Sequence, residues 1–339
     1  MAHTDTRRHR IVPRSVALGF LSMLISVWSD ITQAQQAAKM PRIGYLTAVP
    51  LSAYTTRIDA FRQGLREQGF TEGKNIVVEW RSSEGDRERT AALAAELVRL
   101  KVDVLVSGGL GATRALKTAT STIPIVMTRD SDPVGNGFIA SLANPGGNIT
   151  GLSDVSLDLV GKRLELLKEI VPKLTRVAVL GTTTNAANAR ELKEIENSAA
   201  ALGVKVQYLD ILSSKDIDTA FRAATKARVE AVVMNISGPI GLNNRKEIAE
   251  LAVKHRLPAI YSLREYVEAG GLMNYAADLN DSDRRAAIYV DKILKGTKPA
   301  DLPVEQPMRF EFVVNLKAAK AIGLTIPPNV LVRATKVIR

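Results

Sequence analysis

DPVGNGFIASLANPGGNITGLSD, residues 132–154, holds an apolar stretch of helical length near 134–143, a Pro-Gly-Gly-Asn turn at 145–148 and a short β-branched run at 148–153. Pro145 presets φ, and Gly146 and Gly147 can take positive φ at no steric cost, so the turn fixes where the next strand begins. The segment reads as helix, turn, strand, and at 148–153 the chain leaves one lobe of a two-lobed protein. With 339 residues the chain exceeds what one core usually serves, so two domains are expected.

Working back from this segment, strand and helix patterns alternate. "RIGYLTA" (42–48), "NIVVEW" (75–80), "VDVLVSG" (102–108), "IPIVMT" (123–128) and "NITGLS" read as strands. Amphipathic helices are expected at 56–69, at 86–101 with Asp86 as N-cap, near 111–120 and near 134–143. Five strands with helices between them specify a parallel, doubly wound sheet.

Forward of it the pattern restarts. A helix at 157–171 precedes "RVAVLG", "VKVQYLD", "AVVMNIS", "PAIYSL" and "GLMNYAA", with helices near 187–202, 215–228, 243–256 and 264–269. This is a repeat of architecture without a repeat of sequence. The remainder, a helix at 281–296, the extended "ADLPVEQP", the strand "FEFVVN", the helix "LKAAKAIG" and a Pro-Pro tail, is too short for its own core and must complete the existing lobes. The expected fold is α/β, two doubly wound parallel-sheet lobes joined by a hinge of several segments. One lobe comprises 41–153 plus 277–304, the other 154–276 plus 305–339.

Residues 1–34 read as a cleaved export signal: Arg7, Arg8, Arg10 and Arg14 precede an apolar run from Val16 to Val27, and Thr32-Gln33-Ala34 offers small residues for cleavage. Thr6-Arg7-Arg8 matches a twin-arginine signal only in part, so the Sec and Tat routes both stay open. The sequence has no cysteine, which excludes disulfides, thiol catalysis, thiolate metal sites and a lipidated N-terminal Cys. The exported chain is expected in the periplasm. Net charge is +11, and +9 once the four arginines and two aspartates of 1–34 are removed. Basic and acidic residues interleave along helices such as "RELKEIEN", the pattern of a solvated face, and aromatics are only 5%, so nucleic acid is not an expected partner.

The residues give little for catalysis. His255 is the only histidine beyond the leader, at a helix end where a solvated or dipole-stabilised role fits, and no G-x-S-x-G is present. No metal or cofactor is expected. "SGGLGATR" resembles a dinucleotide fingerprint, but Arg114 stands where the third glycine belongs and the strand before it is the third.

In open parallel sheets ligands bind outside the carboxyl ends of the strands, where helix N-termini present unpaired N–H groups. The loops there hold the candidate ligand contacts Ser52, Tyr54, Gly109, Gly111, Thr113, Asp132, Asp154, Thr183, Asn185, Asn188, Asn235, Ser237, Tyr261, Asn274 and Tyr275. Hydroxyls and amides dominate and acid–base pairs are few, which suits recognition of a small polar ligand better than its conversion. Helix N-termini after Gly111 and near Asn185, with the basic charge, favour a carboxylate-bearing ligand. Asp132 or Asp154 could meet an ammonium.

Finally, "RIGYL", "FRQGLREQGFTEGKNIVVEWR", "AAELVRLKVDVLV", "TSTIPIVM", "DPVGNGFIASLANPGGNITGLS", "GKRLELLKEIVP", "KHRLPAIYSLREYVEAGGLMNY", "YVDKILKGTKPADLPVEQP" and "NLKAAKAIGLTIPP" resemble the exported substrate-binding proteins of ABC importers, in the family that includes tryptophan- and tyrosine-binding members. The resemblance spans nearly everything after residue 40, with PGGNITG and KPADLPVEQP the most specific parts. It implies a type I periplasmic-binding-protein fold, a ligand closed between two lobes by hinge motion, no catalysis, and an ABC permease with its ATPase in the inner membrane as partners of a monomeric receptor. "SGGLGA" (107–112), "LGTTTNAAN" (180–188) and "NISGPIG" (235–241) depart from the family's more usual loops, so ligand identity must come from this chain's own residues. Two other outputs fit an exported chain: a ligand sensor feeding a membrane kinase, and an enzyme with a Ser–Lys or carboxylate site.

Overall fold

The computed structural model describes residues 1–2, 40–182, 186–236 and 238–339, with the backbone alone at 186–188. The leader expected at 1–34 thus lies almost wholly outside the described residues. The first sheet and its helices are built from β1 (Arg42–Thr47), α1 (Thr55–Glu67), β2 (Val77–Ser82), α2 (Arg87–Arg99), β3 (Val104–Ser107), α3 (Leu110–Ala119), β4 (Ile125–Met127) and β5 (Ile149–Gly151). There follow α4 (Val160–Ile170), β6 (Arg176–Gly181), α5 (Ala186–Ala201), β7 (Lys205–Asp210), α6 (Asp216–Lys226), β8 (Ala231–Asn235), α7 (Pro239–Asn243), α8 (Arg245–Lys254), β9 (Ala259–Tyr261), α9 (Arg264–Glu268) and β10 (Met273–Ala277). The chain ends with α10 (Leu279–Leu294), β11 (Phe310–Asn315), α11 (Leu316–Ala321), α12 (Pro328–Arg333) and β12 (Lys336–Ile338).

The first sheet is parallel throughout in the order β2-β1-β3-β4-β5, and the second repeats that order as β7-β6-β8-β9-β10 before adding β11 and β12. β11 runs antiparallel to β10, and β12 pairs with β11 in parallel. The Pro-Pro tail, read only as a tail, therefore supplies α12 and an edge strand. Central strands are buried along their length, as expected of a sheet covered on both faces. Asp86 caps α2 as its sequence position suggested, its side chain accepting the Arg89 N–H at 3.0 Å.

α1 and α10 share one flank of the first sheet, burying Ile58, Phe61 and Leu65 in the same core as Ala286, Ala287 and Val290. Each large apolar side chain so buried contributes about 1.5–3 kcal/mol. Gly64 permits the close approach, since a Cβ there would stand 2.0 Å from the Arg284 carbonyl oxygen. Three segments pass between the sheets: the one after β5, the one joining β10 to α10, and the one leading to β11. They are tied side by side. The Ser153 N–H donates to the Glu305 carbonyl at 2.9 Å, the Glu305 N–H to Gly151 at 3.0 Å, and the Asp278 N–H to Arg309 at 3.0 Å.

One expected element is absent. Residues 134–143 form turns, so no helix joins β4 to β5. The Gly135 N–H donates to Asp132 Oδ1 at 2.8 Å, and Gly137 takes φ 70°. The apolar signal came instead from Phe138 and Ile139, which enter the core from a loop. At the PGGN turn Gly146 takes φ 75° and Gly147 does not take positive φ.

Candidate functional site

Both sheets reverse their winding at an equivalent place, between β1 and β3 in the first and between β6 and β8 in the second. At such switch points the loops leaving adjacent strands diverge and open a crevice at the strands' carboxyl ends. The carboxyl ends of the two sheets meet. Arg57, just after β1, pairs with Glu265 of α9 at 2.8 Å. Gly85, after β2, lies against Pro239 of α7 so closely that a Cβ would stand 2.8 Å from Pro239 Cβ. Arg190 of α5 reaches Asp132 Oδ2 at 3.2 Å and donates to Asn136 Oδ1 at 2.7 Å.

One end of this junction is cationic. Gly109 caps α3 at φ 135°, leaving the N–H groups of the first turn without helical partners. Over it lies Arg129, whose Nε and Nη2 are 3.4 and 3.5 Å from where a Cβ on Gly109 would stand. Among the described residues no hydrogen bond or ion pair reaches the Arg129 guanidinium, although its charge acts on Glu265 and Asp283. Arg57, by contrast, is only 2% exposed and fully engaged. It stacks over the Tyr54 ring at 4.9 Å besides pairing with Glu265. Burial raises Glu265, but Arg57 and Arg129 outweigh it and leave the carboxyl below its ordinary value. Asp283, accepting from Tyr45 at 2.8 Å, is pushed up to about 6 by burial against the pull of Arg57. A small pocket, with room for about one water, adjoins this cluster on the hinge side, with Arg57, Arg264, Glu265, Asn280 and Glu311 among its walls.

The other end is anionic. Asp130, 3% exposed, accepts the Asp132 N–H at 2.9 Å and Asn136 Nδ2 at 2.8 Å, both on Oδ1. Its Oδ2 is buried and has no hydrogen-bond partner among the described residues. Burial, with Asp154 and Asp132 nearby, pushes Asp130 up to about 6. Arg163 of α4 is locked by Glu191 at 3.1 Å, the Tyr275 carbonyl at 2.9 Å and Ser156. Burial pushes Glu191 up to about 7 in spite of Arg163.

The candidates from the sequence divide accordingly. Gly109 sits under Arg129, Asp132 and Asp154 belong to the anionic end, and Gly111 faces open space in the first turn of α3. Ser52 is exposed on a 3₁₀ turn, while Tyr54 is buried and holds the Gly108 carbonyl at 3.2 Å. Thr113 is turned inward, 2.6 Å from Ser107 Oγ, and so is not a wall of the cleft. Asn235 ends β8 and is buried. Tyr261 packs in the core, stacked on Tyr266 at 4.9 Å. Asn274 is spent on the Val313 N–H and Glu311, and Tyr275 stacks on Phe310. Thr183, Asn185 and Ser237 lie outside the described residues, as does the Asn188 side chain. His255, read as solvated or dipole-stabilised at a helix end, is the half-buried C-cap of α8, its Nδ1 2.9 Å from Thr225 Oγ1.

Arg57, Arg129, Arg163, Arg190, Glu191 and Glu265 were missed by the sequence reading. "TRD" at 128–130 carried a usable signal, a charged pair directly after a strand, where loops meet ligands.

The model of the family described as ABC transporter substrate binding protein matches residues 43–338. The chain belongs to that family. It is 25% identical over 297 residues to a tyrosine-binding protein of Clostridioides difficile strain R20291, across 87% of this chain and 85% of that one. A conserved domain protein of Vibrio cholerae overlays with TM-score 0.82 at 30% identity, covering 88% of this chain and all of the other. An ABC domain from Streptococcus pneumonia in complex with L-Trp overlays with TM-score 0.80 at 27% identity, covering 88% and 99%. A ligand-free, open substrate-binding protein with adhesive properties from Clostridium difficile gives 0.68 at 25% identity, also covering 88% and 99%. The fold is that of type I periplasmic binding proteins. At matched coverage and similar identity this substrate-binding protein overlays better on the L-Trp complex than on the open form, in keeping with its direct contacts between the carboxyl ends of the two sheets.

Proposed function

We propose that this protein captures a carboxylate-bearing small molecule, an amino acid or a related compound, between its lobes and hands it to an ABC permease and its ATPase in the inner membrane. In this reading residues 1–34 direct export and are removed, and a monomeric receptor works in the periplasm without turning its ligand over. The lobes, 41–153 with 277–304 and 154–276 with 305–339, move as bodies about the three connecting segments.

The observation that carries the ligand class is Arg129. A guanidinium without a partner among the described residues, beside the open N–H groups of α3 and at the junction of both sheets, suits bidentate binding of a carboxylate. The tyrosine-binding relative and the L-Trp complex support the same class. A thermal-shift screen of amino acids, aromatic acids, sugars and nucleosides tests it, because a ligand that binds the folded state raises the melting point. Carboxylates should shift the transition. A shift by neutral sugars with none by any carboxylate would refute the ligand class and leave the receptor reading standing.

A further inference from the structure

The anionic end of the junction is short of positive charge. Asp130, Asp132, Asp154 and Glu191 are gathered there around two guanidiniums, Arg163 and Arg190. A buried carboxylate is normally neutralised by a partner or gives up its charge. Asp132 holds Arg190 and the Gly135 N–H, Glu191 holds Arg163, and the half-buried Asp154 accepts the Ser156 N–H on one oxygen at 3.0 Å. Asp130 differs from them in having a fully buried oxygen that is unbonded. Its Oδ1 is doubly bonded, while its Oδ2 is shut away from solvent with nothing to accept from. The next residue back is Arg129, the cation that lacks an anion. Arg129 and Asp130, consecutive just after β4, thus carry an unpaired guanidinium and an unpaired buried acceptor.

We infer that Asp130 is a specificity-determining residue: its Oδ2 takes a cationic nitrogen of the ligand whose carboxylate Arg129 holds, so that the protein selects zwitterions and discriminates against simple carboxylates. The inference rests on the carboxylate reading of Arg129 and adds the second contact. It also redirects the ammonium contact from Asp132, whose two oxygens are already engaged, and from the half-buried Asp154 to the acceptor that burial leaves unpaired. Discrimination of this kind is steep, because a ligand lacking the nitrogen leaves a buried acceptor unpaired.

The test is isothermal titration of the mature protein with L-amino acids and, for each that binds, with the des-amino carboxylate of the same side chain, for instance L-tyrosine against 3-(4-hydroxyphenyl)propanoate. The wild type should prefer the amino acid by about ten- to a hundredfold. Asp130→Asn keeps the shape and the Oδ1 acceptor but removes the charge. It should lose affinity for the amino acid by a similar factor and bring the two ligands within a few-fold of each other. A merely structural Asp130 would weaken both ligands alike and preserve their ratio. Equal binding of both ligands by the wild type, or an unchanged ratio in Asp130→Asn, overturns the inference while the carboxylate reading stands. If des-amino carboxylates and amino acids both fail to bind, the carboxylate reading falls and the inference with it. A melting curve of empty Asp130→Asn no lower than wild type confirms that the variant is folded.

Discussion

At the scale of single residues the two ends of the junction predict opposite things. Arg129 is bonded to nothing among the described residues, so Arg129→Ala orphans no partner and should leave the melting point of the empty protein within a degree or two. Ligand affinity should fall by about tenfold or more, since hydrogen bonds to charged groups are worth roughly 1.5–3 kcal/mol. Arg129→Lys should recover only part of it, because an ammonium cannot reproduce the bidentate fork. Calorimetry and thermal shift on the same samples separate the two effects. Four buried carboxyls carry the pH dependence. Asp130 and Asp283 are pushed up to about 6, and Glu191 and Glu311 to about 7, in each case mainly by burial. The folded protein therefore holds protons that the unfolded chain releases near pH 4, and stability falls as pH rises through this window. The melting point of the empty protein should decline between pH 5 and pH 7.5, less so in Asp130→Asn. A ligand nitrogen on Asp130 favours the ionised form, so affinity should improve from pH 5 to pH 7. The charges that act on Asp130, those of Asp154 and Asp132, are the ones that modulate that rise.

At the scale of elements, the pair between α1 and α9 is the test of what holds the junction. Arg57→Ala leaves Glu265 and Asp283 as buried carboxyls without their guanidinium, a change that costs about 3–5 kcal/mol, whereas Glu265→Gln keeps an acceptor for Arg57 and should cost far less. Urea midpoints at constant slope should show that order, and reversed costs would mean that Glu265 rather than Arg57 is the member the fold cannot lose. Nearly every strand and helix was legible from the sequence, because each lies in an alternating series where apolar period and caps agree, as in α2 with Asp86. The exception at 134–143 is instructive. Phe138 and Ile139 are as buried as helix residues would be, but Gly135 and Gly137 let a string of turns present them instead, and period alone does not distinguish a loop that crosses a core. The site was half legible. Knowing which loops lie at strand ends pointed to Gly109, Asp132 and Asp154 at the junction, but hydroxyls and amides stood out there while the groups that meet in the candidate site are charged. Arg57 and Arg163 sit inside helices, where a solvated face is the ordinary reading, and only the meeting of elements distant in sequence shows them to be buried.

At the scale of the whole molecule, the contacts between the carboxyl ends of the two sheets decide how the protein divides its time between closed and open. Arg57–Glu265 lies towards the connecting segments, whereas Arg190 reaches across from α5 to the loop after β4. The latter pair is partly exposed, so it contributes little to stability and its influence falls on the balance between two compact states. Arg190→Glu would set a carboxylate against Asp132, beside Asp130 and Asp154, and repulsion there is relieved by opening. If only the closed form binds tightly, apparent affinity falls by the factor by which the closed population falls. Small-angle scattering should therefore show a larger radius of gyration for empty Arg190→Glu than for empty wild type, and the same compact value for both at saturating ligand. The weakened affinity should reside in faster dissociation. Identical scattering of the two empty proteins would remove Arg190 from the control of closure, and scattering that never changes with a ligand proven to bind would remove the hinge motion itself.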